Sequence, residues 1–376
     1  MRKVLFIIHE ASLTGAPMMI DHLLDSSCSK KNDCYVLCIY GGKIEESLRQ
    51  KAKISVLHKK NSDTFLNKVF KKFYKNENDF LRKLSNNFFD LVYINSLATL
   101  TRLPKLDFLK NNKSILHVHE GPILTENLGL QEIISKEIEN ISSFIFVSEF
   151  AKNNFILNHS IAAAKCQVIP PVMRNVKKQA AEVKNFDLPE NSFVVCSSGS
   201  LNYNKGVDVF LQVAKNVISQ ARPDFPIYFV WIGMHGNQEI RSHFFGDIKK
   251  MGIKNNILVI PNTDKIIDYF YESDLFLLCS REESFSMVAM ENAIIGNPVI
   301  CFNSGNGTTE FINNENGCVI PYLDILSASR SILELYNNPV LLSEKSEAIR
   351  KAAIDFCGKN SSDKIFEIIK NVIDAR

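Results

Sequence analysis

Glycine and proline are scarce in this chain. With 16 Gly and 12 Pro they make up about 7% of 376 residues, against an average of about 12%. That excludes a collagen-like, linker-like or largely disordered chain. No apolar run approaches the roughly 18 residues that suggest a membrane span. The run Met1–Ile8 places two basic residues before five apolar ones and stops at His9-Glu10, too short for the apolar core of a signal peptide. Charge of one sign is also lacking. The 44 basic and 41 acidic residues leave +3, too balanced for a nucleic-acid binder. The nine cysteines are odd in number and contain no C-x-x-C pair. This points to reduced thiols in a cytoplasmic protein, not to a disulfide framework or a zinc site.

What is present is ordinary for a globular protein, 45% hydrophobic and 23% charged residues, and the length suggests two domains. Short apolar segments alternate with longer amphipathic ones. Residues 4–8, 34–39, 91–94, 114–118, 144–147 and 166–169 read as strands, near-continuously apolar as in sheets covered on both faces. The pattern pauses after Pro170-Pro171 and resumes with 192–197, 227–232, 257–260, 275–278, 299–302 and 318–320. Helical patterns separate most of these, so the predicted fold class is α/β, with two doubly wound, Rossmann-like domains of parallel strands. The boundaries are 1–172, a polar linker 173–190, a second domain 191–355 and a C-terminal helix over 356–376 packing back towards the first domain. Ligands of open parallel sheets bind outside the carboxyl ends of the strands. Two such domains facing each other are expected to form a cleft between those ends.

The residues that follow each strand are therefore the candidates. After the first strand, Ser12-Leu13-Thr14-Gly15-Ala16-Pro17 opens a helix whose free N–H groups suit a phosphate; an ordinary strand-to-helix turn reads equally well. It is not G-x-G-x-x-G, so dinucleotide binding is not supported. After the fifth comes His117-Val118-His119-Glu120, with both imidazoles on one face because strand residues two apart share a side. In the second half, Gly199-Ser200-Leu201-Asn202-Tyr203-Asn204-Lys205-Gly206 brings a cation to the start of a helix, either to meet a diphosphate or as a solvated surface lysine. The most specific segment, Ser280–Ala293, follows the strand 275–278. A helix is expected to begin near Ser286 and to present Met287, Val288, Met290, Ala293 and Ile294 to the core, with Glu283 before it and Glu291 one turn in. Carboxylates accept paired hydrogen bonds from sugar hydroxyls, and an acid inside an apolar helix face needs a partner.

These motifs resemble those of the family 4 retaining glycosyltransferases, two-domain GT-B enzymes that use nucleotide sugars. Glu283 to Glu291 resembles their E-x(7)-E motif, and Ala293 to Ile300 the A-x-x-x-G-x-P-V-I that follows it. Asn303 to Glu310, with Gly305 and Gly307, is similar to the next Gly-rich loop. Gly199 to Gly206 resembles G-R-L…K-G, Thr14-Gly15-Ala16 resembles G-G-A, His119 matches the histidine after the fifth strand, and Val147-Ser148 the V-S before a helix. Three departures stand out. Ser200 replaces an arginine of the diphosphate site, with Arg281 or another basic residue a candidate substitute and Lys205 acting alone the alternative. E-G-F-G is Glu283-Ser284-Phe285-Ser286, and G-G-A is Thr14-Gly15-Ala16.

The resemblance implies sugar transfer from a nucleotide diphosphate with retained configuration. The implied catalytic set is His119, Lys205 and Glu283. The implied donor-binding set is Gly15, Ala16, Ser200, Lys205, Asn262, Glu283, Ser284, Phe285, Ser286, Met287 and Glu291. Within it, Lys205 and the helix start hold the diphosphate, Glu283 the sugar and Glu291 the ribose. The nucleotide sugar is a substrate, and no further cofactor is implied. The sequence contains no D-x-D, which argues against an obligatory metal. The rival readings are a GT-B epimerase or phosphorylase and a non-enzymatic sugar-binding protein. The implied acceptor is a glycan or lipid-linked glycan, as in bacterial cell-surface polysaccharide synthesis. One segment bears on this. Residues 59–84 hold eight basic and three acidic residues, with Lys68, Lys71, Lys72 and Lys75 on one helical face and Phe65, Leu66, Val69, Phe70 and Phe73 on the other. Such a helix lies on an anionic membrane or packs its apolar face on the first sheet. The expected location is cytoplasmic, with peripheral attachment to the inner membrane face.

Overall fold

The computed structural model describes residues 1–58, 83–84, 86, 88–103, 106–127, 129, 131–174, 186–303, 306–357 and 360–375. Most of the basic segment 59–84 and of the linker 173–190, and Gly305, thus lie outside the described residues. The chain forms two compact units, 1–174 with 359–376, and 175–358.

The first unit is built on seven strands: β1 (Lys3–Glu10), β2 (Asp33–Tyr40), β3 (Lys53–His58), β4 (Leu91–Asn95), β5 (Ser114–Val118), β6 (Ser143–Phe146) and β7 (Cys166–Val168). They pair in the order β3-β2-β1-β4-β5-β6-β7, every neighbour parallel. The central strands β1, β4 and β5 are covered on both faces, in keeping with their largely apolar content. β3 departs from the expected strand set. Its sequence Lys53-Ile54-Ser55-Val56-Leu57-His58 alternates polar and apolar residues along most of its length, and it is an edge strand, only partly buried. The helix Ser361–Asp374 belongs to this unit. It buries Ile365, Ile368 and Ile369, while Asp374 pairs with Arg2 at 2.9 Å and Lys113 donates to the Ile373 carbonyl at 2.7 Å.

The second unit carries β8 (Phe193–Ser198), β9 (Ile227–Ile232), β10 (Ile257–Ile260), β11 (Leu275–Leu278), β12 (Val299–Asn303) and β13 (Cys318–Pro321). Their order is β10-β9-β8-β11-β12-β13, again all parallel. The core centres on Trp231, whose ring meets Phe210 edge-on at 5.2 Å. All nine cysteines are free. Among the described residues no helix is long and apolar enough to cross a membrane.

Candidate functional site

In the second unit the strand order reverses between β8 and β11, the place where loops diverge and ligands of open sheets bind. The two loops there interlock. Gly206 has φ +66°, and a Cβ on it would lie 2.1 Å from the Cys279 carbonyl oxygen, so only glycine permits this approach. The Arg281 N–H donates to the Asn204 carbonyl at 2.7 Å. Lys205 leaves this knot with its stem against Gly199. Its Nζ meets Glu283 Oε2 at 2.6 Å, both side chains partly exposed. Two residues assigned to one ligand from sequence, 78 positions apart, are thus in direct contact.

The helix Met287–Ile295 starts beside this pair. Ser286 caps it, accepting from the Ala289 N–H at 3.2 Å, and the Ser286 N–H donates to Thr308 Oγ1 at 3.1 Å. The N–H groups of Met287 and Val288 then have no acceptor within the helix and lie at its positive end. Phe285 is buried against Phe311 and Phe356, 5.8 Å to each. The Gly307 N–H holds the Glu283 carbonyl at 3.0 Å. Ser284 is buried as well. The helix is covered more fully than the expected face. Ala289 to Ala293 are all buried, including Glu291 and Asn292, whereas Met287, Val288 and Ile294 are half-buried.

Two further residues named from the sequence have other surroundings. Arg281 is committed elsewhere: its guanidinium pairs with both Asp208 oxygens at 2.8 and 2.9 Å, donates to the Tyr203 carbonyl at 2.6 Å and lies 3.7 Å from the Tyr203 ring centre. There it braces the loop, its charge paired with Asp208. Asn262 follows β10, the edge strand, and is exposed.

In the first unit the order reverses between β1 and β4. Gly15 and Ala16 open the helix Gly15–Leu24, and His119 follows β5. The His117 and His119 rings lie 4.2 Å apart, on one face as their spacing requires. Glu120 is spent on the helix Leu97–Leu100, accepting from the Leu97 and Ala98 N–H groups at 3.0 and 3.1 Å and from Ser96 Oγ at 2.5 Å. Burial pushes His119 down to about 4, with Glu120 opposing and His9 adding to the shift. Asn95 joins the candidates: Nδ2 donates to the Ala16 carbonyl at 2.8 Å, and Oδ1 lies 2.8 Å from His119 Nε2. Its only sequence signal is a polar residue closing an apolar strand. Asp208 and Thr308 carried no such signal. Among the described residues no group of three or more His, Cys, Asp or Glu is placed to hold a metal ion.

Two parallel-sheet, Rossmann-like units of this kind define the GT-B architecture. Residues 178–356, just under half of the chain, match the family of glycosyl transferases group 1. It is 24% identical over 209 residues to a D-inositol 3-phosphate glycosyltransferase of Thermobispora bispora, covering 54% of this chain and 48% of that protein. It is 26% identical over 175 residues to the amylovoran biosynthesis glycosyltransferase AmsD of Erwinia amylovora, covering 46% of this chain and 45% of that protein. The chain thus spans about half the length of the curated relatives it matches. Among solved structures, HepE from Anabaena in complex with UDP-glucose is similar in fold, with TM-score 0.82 at 17% identity over 98% of this chain and 99% of that one.

Proposed function

We propose that the protein is a retaining, metal-independent glycosyltransferase that moves a hexose from a nucleotide-diphosphate sugar to a glycan or lipid-linked glycan acceptor of a bacterial cell surface. The contact between Lys205 Nζ and Glu283 Oε2 at 2.6 Å, beside the start of the helix Met287–Ile295, carries the reading. It sets a cation for a diphosphate next to a carboxylate for sugar hydroxyls, at a strand-order reversal. The group 1 match and the amylovoran relative support the reaction and acceptor classes.

In this reading the Met287 and Val288 N–H groups and Lys205 stabilise the charge that develops on the departing diphosphate. Glu283 turns from Lys205 to the transferred sugar. Glu291 takes the ribose, and His119 is assigned to sugar and acceptor hydroxyls. The acceptor oxygen bonds to the anomeric carbon on the face from which the phosphate oxygen leaves, and its proton passes to that phosphate oxygen. This front-side course needs no protein nucleophile. The positive charge of Lys205 and the helix end does the work that a metal does in other transferases.

The test is release of nucleoside diphosphate from a panel of nucleotide sugars. One donor is expected to be turned over, and Lys205→Ala is expected to slow it by about 100-fold, the weight of one lost transition-state donor. No release from any donor, or an unaffected Lys205→Ala variant, overturns the proposal.

A further inference from the structure

We propose that Asn95 is a positioning residue: its side-chain amide holds His119 as the neutral Nε2–H tautomer and leaves Nδ1 as a hydrogen-bond acceptor for a ligand hydroxyl. The direction of each bond follows from what each atom can do. The Ala16 carbonyl oxygen can only accept, so the Asn95 atom 2.8 Å from it is the Nδ2 donor. The atom turned to His119 is then Oδ1, which can also only accept, so Nε2 at 2.8 Å must carry the hydrogen. A neutral imidazole holds one such hydrogen, and Nδ1 is left with its lone pair. Among the described residues none hydrogen-bonds that nitrogen.

Burial keeps the ring neutral, with the His117 ring tilted against it at 4.2 Å, and His9 adds like charge if protonated. The neighbouring carboxylate of Glu120 opposes this, but it is engaged by Ser96, Leu97 and Ala98 and by the His119 backbone N–H at 3.0 Å. Asn95 itself is fully buried at the end of β4, in register with Ile8 and His117. It therefore has one orientation available, and the same amide ties the imidazole to the first turn of the helix Gly15–Leu24. A sugar or acceptor hydroxyl would donate to Nδ1; the histidine orients that hydroxyl without giving or taking a charge. The ligand half of this inference rests on the glycosyltransferase reading, whereas the tautomer does not.

The test uses the full chain labelled with [15N]histidine and long-range 1H–15N correlation at neutral pH. His119 is assigned by the signal lost in His119→Asn. The expected wild-type pattern is protonated Nε2 with bare Nδ1. Asn95→Leu, alike in branching but without an acceptor, is expected to populate the Nδ1–H form and to lower kcat by about 10-fold or more with a smaller change in KM, as when an orienting partner of a histidine is removed. Asn95→Asp keeps the acceptor oxygen and is expected to keep Nε2 protonated. A wild-type Nδ1–H tautomer or imidazolium overturns the proposal, as does a folded Asn95→Leu with an unchanged pattern. If Asn95→Leu does not fold, the wild-type spectrum and Asn95→Asp decide. The expected tautomers without any transferase activity would leave Asn95's effect on His119 standing and remove the glycosyltransferase reading.

Discussion

At the scale of residues, the site is a set of polar groups already paired with one another. Lys205 is neutralised by Glu283, so a diphosphate must compete with that carboxylate. Glu283→Gln is expected to tighten nucleoside diphosphate binding by about 2- to 5-fold, the worth of a partly exposed ion pair, while sugar transfer falls. Calorimetric titration beside a rate measurement separates the two effects, and weaker diphosphate binding would contradict the assignment. Glu291→Ala should instead lose roughly 1.5–3 kcal/mol of that affinity, the range for hydrogen bonds to a charged group. His119 supplies a pH dependence of known sign. Its lowered pKa means that between 6.5 and about 4 the unfolded chain binds a proton that the native state does not. The contribution is whole above pH 6.5 and is lost as pH falls towards 4, by about 1 kcal/mol per pH unit. Asp274, which burial pushes up to about 6, titrates with the opposite sign. The comparison that isolates His119 is therefore the melting temperature of wild type against His119→Asn at pH 7 and pH 5. Wild type should fall further, and equal slopes would count against the shift.

At the scale of elements, the loops after β8 and β11 depend on two local devices. Gly206 combines a left-handed φ of +66° with backbone contact to Cys279, so Gly206→Ala should cost at least about 1–2 kcal/mol from the backbone alone and should disturb Lys205. Ser286 caps the helix Met287–Ile295 through the Ala289 N–H, and Ser286→Ala should cost about 1 kcal/mol. Urea denaturation monitored by the fluorescence of Trp231 reads both, and an undiminished midpoint in either would remove the corresponding device. Most elements were legible in the sequence because buried strands announce themselves as short apolar runs. β3 was not, because an edge strand in partial contact with water tolerates Lys53, Ser55 and His58.

At the scale of the whole molecule, two α/β units are joined in one chain, and the helix Ser361–Asp374 returns to the first. If Lys205 and a helix end carry the leaving-group charge, transfer should be complete in excess chelator; loss of activity restored by magnesium or manganese would refute the metal-independent reading. The acceptor class is open to a direct test as well. If residues 59–84, with eight basic residues, hold the protein to a membrane, wild type should float with vesicles containing anionic lipid at low salt. The variant with Lys68, Lys71, Lys72 and Lys75 changed to Glu should not, since each cation near such a surface contributes about 1 kcal/mol. A wild type that stays in the soluble fraction would favour a soluble or protein-bound acceptor.

The sequence alone determined the alternation of strands and helices, the two-domain plan and the loops to inspect, because these are local properties: apolar periodicity, turn residues and motif spacing act over a few positions. It also named Lys205, Glu283, Glu291 and His119 as candidates. Which partner each polar side chain takes was decided only by the tertiary structure. Arg281 pairs with Asp208, 73 residues away in the chain; Glu120 and Asn95 each serve groups 24 positions distant. The physical reason is that a buried polar group must find a hydrogen-bond partner, and the candidates it meets are set by how distant strands lie side by side in the sheet.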